Sequence, residues 1–178
     1  GLLASLRRED ILTARDAIAA KPRLVTPMTL MVLAIRLYDV GLRDEAVFWF
    51  YVAKERYIAL SAVIVAGTPL LQQADQAMRA FSALAGPVIN GYAFCDIAKQ
   101  RDQHARALSW VERNPYEAVF IEQLPARSPD RKAALERALR AARESAAKEI
   151  AFLDDPKKRE AFLSTRKTNH ADEMYCWD

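Results

Sequence analysis

The segment LYDVGLRDEAVFWFYVAKERY, from Leu37 to Tyr57, decides the fold. Within it the run VFWFYV, residues 47–52, consists entirely of apolar and aromatic side chains. At about 100° per residue such a run points in all directions around a helix, so neighbouring elements must cover it on several sides. We therefore predict that a helix over residues 43–65 is the central helix of an all-α protein.

The composition favours helices along the whole chain. Of the 178 residues 52% are apolar and only five are glycine, and the long runs of Ala, Leu, Arg and Glu are typical of helices. The sequence contains no sustained alternation of apolar and polar residues, so we predict no strand. The length fits one domain with its own core. We place this single helical domain at residues 1–168 and a C-terminal tail, which we expect to be frayed, at residues 169–178.

Four short signals mark the starts of helices. At each of them a residue with a capping side chain precedes proline: Thr26-Pro27, Thr68-Pro69, Ser128-Pro129 and Asp155-Pro156. Gly86, just before Pro87, marks the end of one helix. Together these signals predict an irregular bundle of about seven helices, over residues 4–18, 27–40, 43–65, 69–85, 87–112, 129–153 and 156–167.

The distribution of charge predicts where the core lies. Between Ile58 and Phe94 only Asp75 and Arg79 are charged, so we expect this part of the chain to form the core. Helix 129–153 has one narrow apolar stripe and is expected at the surface of the bundle. Gly91 predicts the close approach of a neighbour.

A set of small and large apolar positions recurs around the opening segment, namely Leu30, Leu33, Ala34, Leu37, Gly41, Ala46, Phe50 and Ala53. With this set, residues 28–57 resemble a tetratricopeptide (TPR) or Sel1-like repeat, in which small residues lie where two antiparallel helices cross. Leu37 replaces the usual aromatic residue, Ile58 replaces the closing proline, and no second copy follows one period later. The resemblance implies a single TPR-like hairpin within the bundle.

Residues that could carry catalysis or bind metal are few. His104 lies in a polar stretch and is expected to be a solvated surface side chain, and His170 lies in the tail at a spacing that matches no zinc motif. Nucleophile elbows, phosphate-binding loops and metalloprotease motifs are absent from the sequence. We therefore expect neither an enzyme nor a metal or cofactor site.

The two cysteines, Cys95 and Cys176, lie too far apart in sequence for a zinc knuckle. They could form one disulfide that ties the tail to the body, or they could be two unrelated thiols. A disulfide would favour a periplasmic or secreted protein, with the cytoplasm as the alternative. The chain opens at Gly1 rather than Met, which could reflect a removed export signal or a trimmed chain. No apolar stretch is long enough to span a bilayer.

The expected function is the binding of another protein. Trp, Tyr and Arg are frequent anchors of protein interfaces, and the candidate anchors are Trp49, Tyr51, Arg56, Trp110, Tyr116 and Phe120. The most concrete form of this hypothesis is a bacterial immunity or inhibitor protein that occludes a toxin or an enzyme.

Two alternatives stay open at this point. The first is a helical adaptor or assembly subunit that self-associates into a homo-oligomer. The second is a nucleic-acid binder, since residues 127–167 contain twelve Lys and Arg against seven Asp and Glu. Acidic residues are interleaved with these basic ones, which favours a solvated face and makes nucleic acid the weaker alternative.

Overall fold

The computed structural model describes residues 1–177, and for Leu70 its backbone alone. The described residues form eight α-helices and three short 3-10 turns, which confirms the all-α fold class. The turns are Leu2–Ala4, Pro22–Leu24 and Glu117–Phe120. The helices are α1 (Arg8–Ala20), α2 (Pro27–Asp39), α3 (Arg43–Val63), α4 (Pro69–Ala93), α5 (Ile97–Arg113), α6 (Arg131–Asp154), α7 (Pro156–Thr168) and α8 (Ala171–Tyr175).

Three of the four predicted helix starts are confirmed. Thr26, Thr68 and Asp155 each accept a hydrogen bond from a backbone N–H of the first turn, and each is followed by proline. The prediction for α6 was wrong by two residues. There the Asp130 carboxylate accepts from the Ala133 N–H at 2.9 Å, so Asp130 takes the capping position instead of Ser128.

The predicted break between residues 85 and 87 was wrong, because α4 runs through Pro87 without interruption. The chain instead leaves the helix at Phe94, and Asp96 caps the start of α5 by accepting from the Lys99 N–H at 3.0 Å. Ile89 and Ala93 continue the buried stripe of α4, so tertiary packing outweighs the local cost of proline within a helix.

Helix α3 is the central helix, as predicted. It packs against α2, α4, α5 and α6, and most of its side chains are buried. A turn at Gly41, whose φ of +83° suits glycine, joins α3 to α2. Ala34 and Ala46 are fully buried in these two helices.

The core is not centred on residues 58–94. Helix α4 buries one stripe only, which includes Met78, and Leu84 on its other side is 73% exposed. The lack of charge in this segment therefore reflects an uncharged outer face as well as burial.

The predicted tail is folded over most of its described length. Residues 171–175 form α8, which packs on α4, and the Tyr175 ring lies against Gly91. A Cβ added at Gly91 would overlap the Tyr175 ring, which confirms the predicted close approach. The final residue of the predicted tail, Asp178, lies outside the described residues.

Candidate protein-binding surface

Two connecting segments meet beside α3 and form a surface that we call the loop platform, residues 22–25 and 116–124. The first segment contains the turn Pro22–Leu24 and the second the turn Glu117–Phe120. The two turns contact each other, and the second also contacts α3 and α6. Neither segment has the continuous backbone hydrogen bonds of a long helix, so side chains from the helices must hold both segments in place.

Arg56 of α3 holds the first segment and the end of α5. Its guanidinium donates to the carbonyl oxygens of Pro22 at 2.6 Å, Val25 at 2.8 Å and Asn114 at 2.5 Å. The same group lies over the rings of Trp110 and Tyr116. Burial lowers the pKa of Arg56 to about 10, so the side chain is still charged at neutral pH. One buried cation therefore fixes two stretches of backbone, the first platform segment and the end of α5.

Arg131 at the start of α6 holds the second segment. Its guanidinium donates to the carbonyl oxygens of Val119 at 3.0 Å and Leu124 at 2.5 Å. Nearby, the backbone N–H of Val65 donates to Pro125 and that of Arg127 donates to Val63, both at 2.8 Å. These bonds attach the segment to the end of α3 and to α6.

The platform displays large apolar side chains to solvent. Leu24 is 59% exposed, Ile121 44% and Phe120 41%. Arg23 and Glu117 lie 3.9 Å apart at its edge and supply charges of both signs. An apolar centre with a charged rim is the usual anatomy of a protein-binding surface.

An apolar groove of about 380 Å³ adjoins the platform. Platform residues Tyr116, Ala118, Ile121 and Leu124 form one wall, and the first turns of α2 and α4 and the end of α3 form the others. Its main polar feature is the Tyr57 hydroxyl, which donates to Asp75. Asp75 in turn accepts from Arg79 at 2.9 Å.

The six predicted anchors divide into two groups. Trp49, Tyr51 and Arg56 are buried in the core, so as direct partner contacts they were wrong. Tyr116 and Phe120 belong to the platform, and Trp110 is half-buried behind it with its ring against that of Trp49. Most of residues 47–56 are buried because α3 packs against α2, α4, α5 and α6, as its apolar run requires, whereas Lys54 is exposed.

His104 is buried, contrary to the expectation of a solvated side chain. Its Nε2 lies 2.9 Å from Oε1 of Glu55, and its ring stacks on Tyr51 with centroids 4.6 Å apart. Gln100, one turn earlier, donates to the Tyr51 hydroxyl at 3.0 Å and to Glu149 at 2.9 Å. The five polar side chains form one network that joins α3, α5 and α6.

The sequence contained a signal for this network. Gln100 and His104 continue the spacing of three and four residues set by the apolar positions of α5: Ile97, Ala107, Leu108 and Val111. That spacing places both polar side chains on the buried face. Leu24, Ile121 and Arg131 had no comparable signal, because their roles depend on where the loops meet.

The described residues meet the requirements of neither a metal site nor a membrane-spanning helix. No cluster of three or more His, Cys, Asp or Glu side chains suited to a metal ion occurs in the described part of the chain. None of the described helices is long and apolar enough to cross a membrane.

An uncharacterized protein of Haemophilus influenzae is 38% identical to the chain over 156 residues. The match covers 88% of the chain and 60% of that protein, so the chain spans about three fifths of its relative's length. Neither a protein-family model nor a solved structure matches the chain. The resemblance of residues 28–57 to a TPR or Sel1-like hairpin therefore stays a prediction.

Proposed function

We propose that the protein acts by binding another protein through the loop platform. The observation that carries this proposal is the exposure of Leu24, Phe120 and Ile121 on loops that buried or half-buried arginines hold in place. A surface fixed before binding loses little conformational entropy when the partner arrives. Aromatic and aliphatic side chains at its centre lose contact with water on binding.

The most concrete form of the proposal is an immunity or inhibitor protein that occludes a toxin or an enzyme. A pre-organised apolar projection supports this form, because tight inhibitors typically bind with little change in backbone structure. The adjoining groove would receive an apolar side chain or a short segment of the partner. The disulfide between Cys95 and Cys176 supports a periplasmic or secreted location.

Site-specific photo-crosslinking in the native cell tests the proposal. A photo-reactive residue at position 120 should yield one discrete crosslinked partner, which mass spectrometry identifies. The matched control is position 84 on α4, where Leu84 is more exposed but lies outside the platform. Equal crosslinking of the same partner at both positions would contradict the proposal.

Self-association through the same surface is the second candidate, because an exposed apolar patch can also bind its own copy. Light scattering after size exclusion separates the two candidates. A dimer that the Phe120→Ser change converts to a monomer would favour the adaptor or assembly subunit. A monomer at all concentrations would favour a different protein as the partner.

A further inference from the structure

The end of the chain folds back over α4 as a short segment that we call the C-terminal strap, residues 171–177. His170, with a left-handed φ of 52°, reverses the chain direction after α7. The strap then forms α8 and lies across the last turns of α4. It shares no residue with the loop platform, so the inference below is independent of the proposed function.

Several non-covalent contacts hold the strap, among them a hydrogen bond from the Arg43 guanidinium to the Trp177 carbonyl oxygen. The Tyr175 ring lies in the notch left by the missing side chain of Gly91. The buried Arg166 donates to the Gly91 carbonyl at 3.1 Å and to the Asp172 carboxylate at 2.7 Å. The Trp177 ring lies 3.7 Å from the Arg43 guanidinium carbon.

These contacts bury little apolar surface. Ala171 is the single buried apolar residue among residues 171–177, and Met174 and Trp177 are each about half exposed. A helix of five residues is not stable on its own in water, because nucleation costs more than one turn recovers. The strap therefore depends on the disulfide that anchors it to the body more than a longer helix would.

That covalent bond is the disulfide between Cys95 and Cys176, which are 81 residues apart in sequence. Both residues are exposed, so a reductant in solution can reach them. Beneath the strap lies a cavity of about 180 Å³. Lys99, Tyr92 and Gln100 line it from the body, and Cys176 and Trp177 line it from the strap.

A cation adjoins both sulfur atoms. The Arg166 guanidinium nitrogen Nη2 lies 3.5 Å from Sγ of Cys176 and 3.8 Å from Sγ of Cys95. Oδ1 of Asp172 lies 3.4 Å from the Cys176 sulfur, where it opposes the cation. The Gly91 carbonyl oxygen lies 3.5 Å from the Cys95 sulfur. The cation can therefore stabilise a departing thiolate at either cysteine, which favours disulfide exchange.

We propose that the strap is a thiol-controlled cover, which a dithiol reductant opens by reducing the Cys95–Cys176 bond. One thiolate of the reductant attacks one of the two sulfur atoms, the bond between the cysteines breaks, and the other cysteine leaves as a thiolate beside Arg166 and takes up a proton. The second reductant thiol then displaces the attacked cysteine as a thiol and closes the reductant's own disulfide. Two electrons and two protons pass to the protein. The freed strap uncovers the cavity and the Gly91 notch.

Hydrogen exchange with and without dithiothreitol tests the cover. After reduction, the strap amides that donate within α8, those of Met174 and Cys176, should exchange about tenfold faster or more. The labelling times are seconds to minutes, so that amides of α3, which exchange through global unfolding, stay protected in both states although reduction lowers the global stability. A Cys95→Ser, Cys176→Ser double variant should exchange at the fast rate without reductant and show no response to it.

Two results would overturn the proposal. One is unchanged exchange of the strap in protein whose two cysteines have both become available to alkylation. The other is a loss of protection in α3 at the same short labelling times as in the strap, which would mean that reduction unfolds the whole protein and does not open the strap locally. The role of Arg166 has its own readout, the rate of reduction. Arg166→Gln should slow it several-fold and Arg166→Lys should retain it, whereas faster reduction of the Gln variant would contradict that role.

Discussion

At the scale of single residues, His104 links the pH of the solution to the stability of the bundle. Burial alone would lower its pKa, but hydrogen bonds and attraction to Glu149 and Glu55 outweigh burial and raise it to about 9 from the ordinary value of 6.5. The charged form is thus favoured by folding, so this stabilisation is complete below pH 6.5 and is lost as the pH rises through about 9. We expect the free energy of unfolding to fall by up to about 3 kcal/mol across this window, measured by urea denaturation.

The matched control is His104→Gln, which keeps a hydrogen-bonding side chain but does not titrate. Its free energy of unfolding should be nearly level between pH 6.5 and 9. A wild-type stability that rises or stays level over this window would contradict the assignment. Tyr51, whose ring stacks on the imidazole, does not titrate in this window, because burial raises the pKa of its hydroxyl to about 12. Sequence alone could not pair His104 with Glu55, since these residues meet only when α3 packs on α5.

At the scale of elements, α4 contains a proline that its packing tolerates at a local cost. Pro87 is exposed in the helix interior, where it removes one backbone hydrogen bond. We expect Pro87→Ala to raise the free energy of unfolding by about 1–3 kcal/mol in urea denaturation. Pro156→Ala is the control, because Pro156 opens α7 and its missing N–H would have had no partner, so little change is expected. A destabilised Pro87→Ala protein would show that residues 69–93 do not behave as one helix.

The second prediction at this scale concerns the platform loops. Arg131→Met leaves the carbonyl oxygens of Val119 and Leu124 without their donor. We expect faster hydrogen exchange in residues 116–124 and a loss of about 1–3 kcal/mol in stability. Lys132→Met, at an exposed neighbouring position, should change neither. Unchanged exchange in the loop would show that Arg131 does not hold it.

Several elements could be predicted from sequence because their signals are local. The caps at Thr26, Thr68 and Asp155 and the apolar run of α3 depend on residues a few positions apart, and the structure has these elements where they were expected. The break near Pro87 was mispredicted because the buried contacts of Ile89 and Ala93 are distant in sequence. The platform was predicted only through Tyr116 and Phe120, since its other members depend on loops that long-range hydrogen bonds bring together.

At the scale of the whole molecule, the Cys95–Cys176 bond closes most of the second half of the chain into one loop. The two cysteines are 81 residues apart in sequence, for which the chain-entropy model gives a stabilisation of about 4.5 kcal/mol. We expect the Cys95→Ser, Cys176→Ser variant to lose stability of this order and to match reduced wild-type protein in urea denaturation. A variant as stable as the oxidised protein would contradict this expectation.

Non-reducing mass spectrometry of protein from the native cell should find the bond, and two free thiols would remove the support for an oxidising compartment.

The central claim is that the loop platform binds a protein, and the affinity for the crosslinked partner tests it most directly. The Phe120→Ser, Ile121→Ser double variant should bind that partner about 100-fold more weakly or worse, because two central apolar contacts are lost. Leu84→Ser, the control on α4, should bind within about twofold of the wild-type protein. Circular dichroism and urea denaturation should show that both variants are folded. An unchanged dissociation constant for a folded double variant would contradict the account.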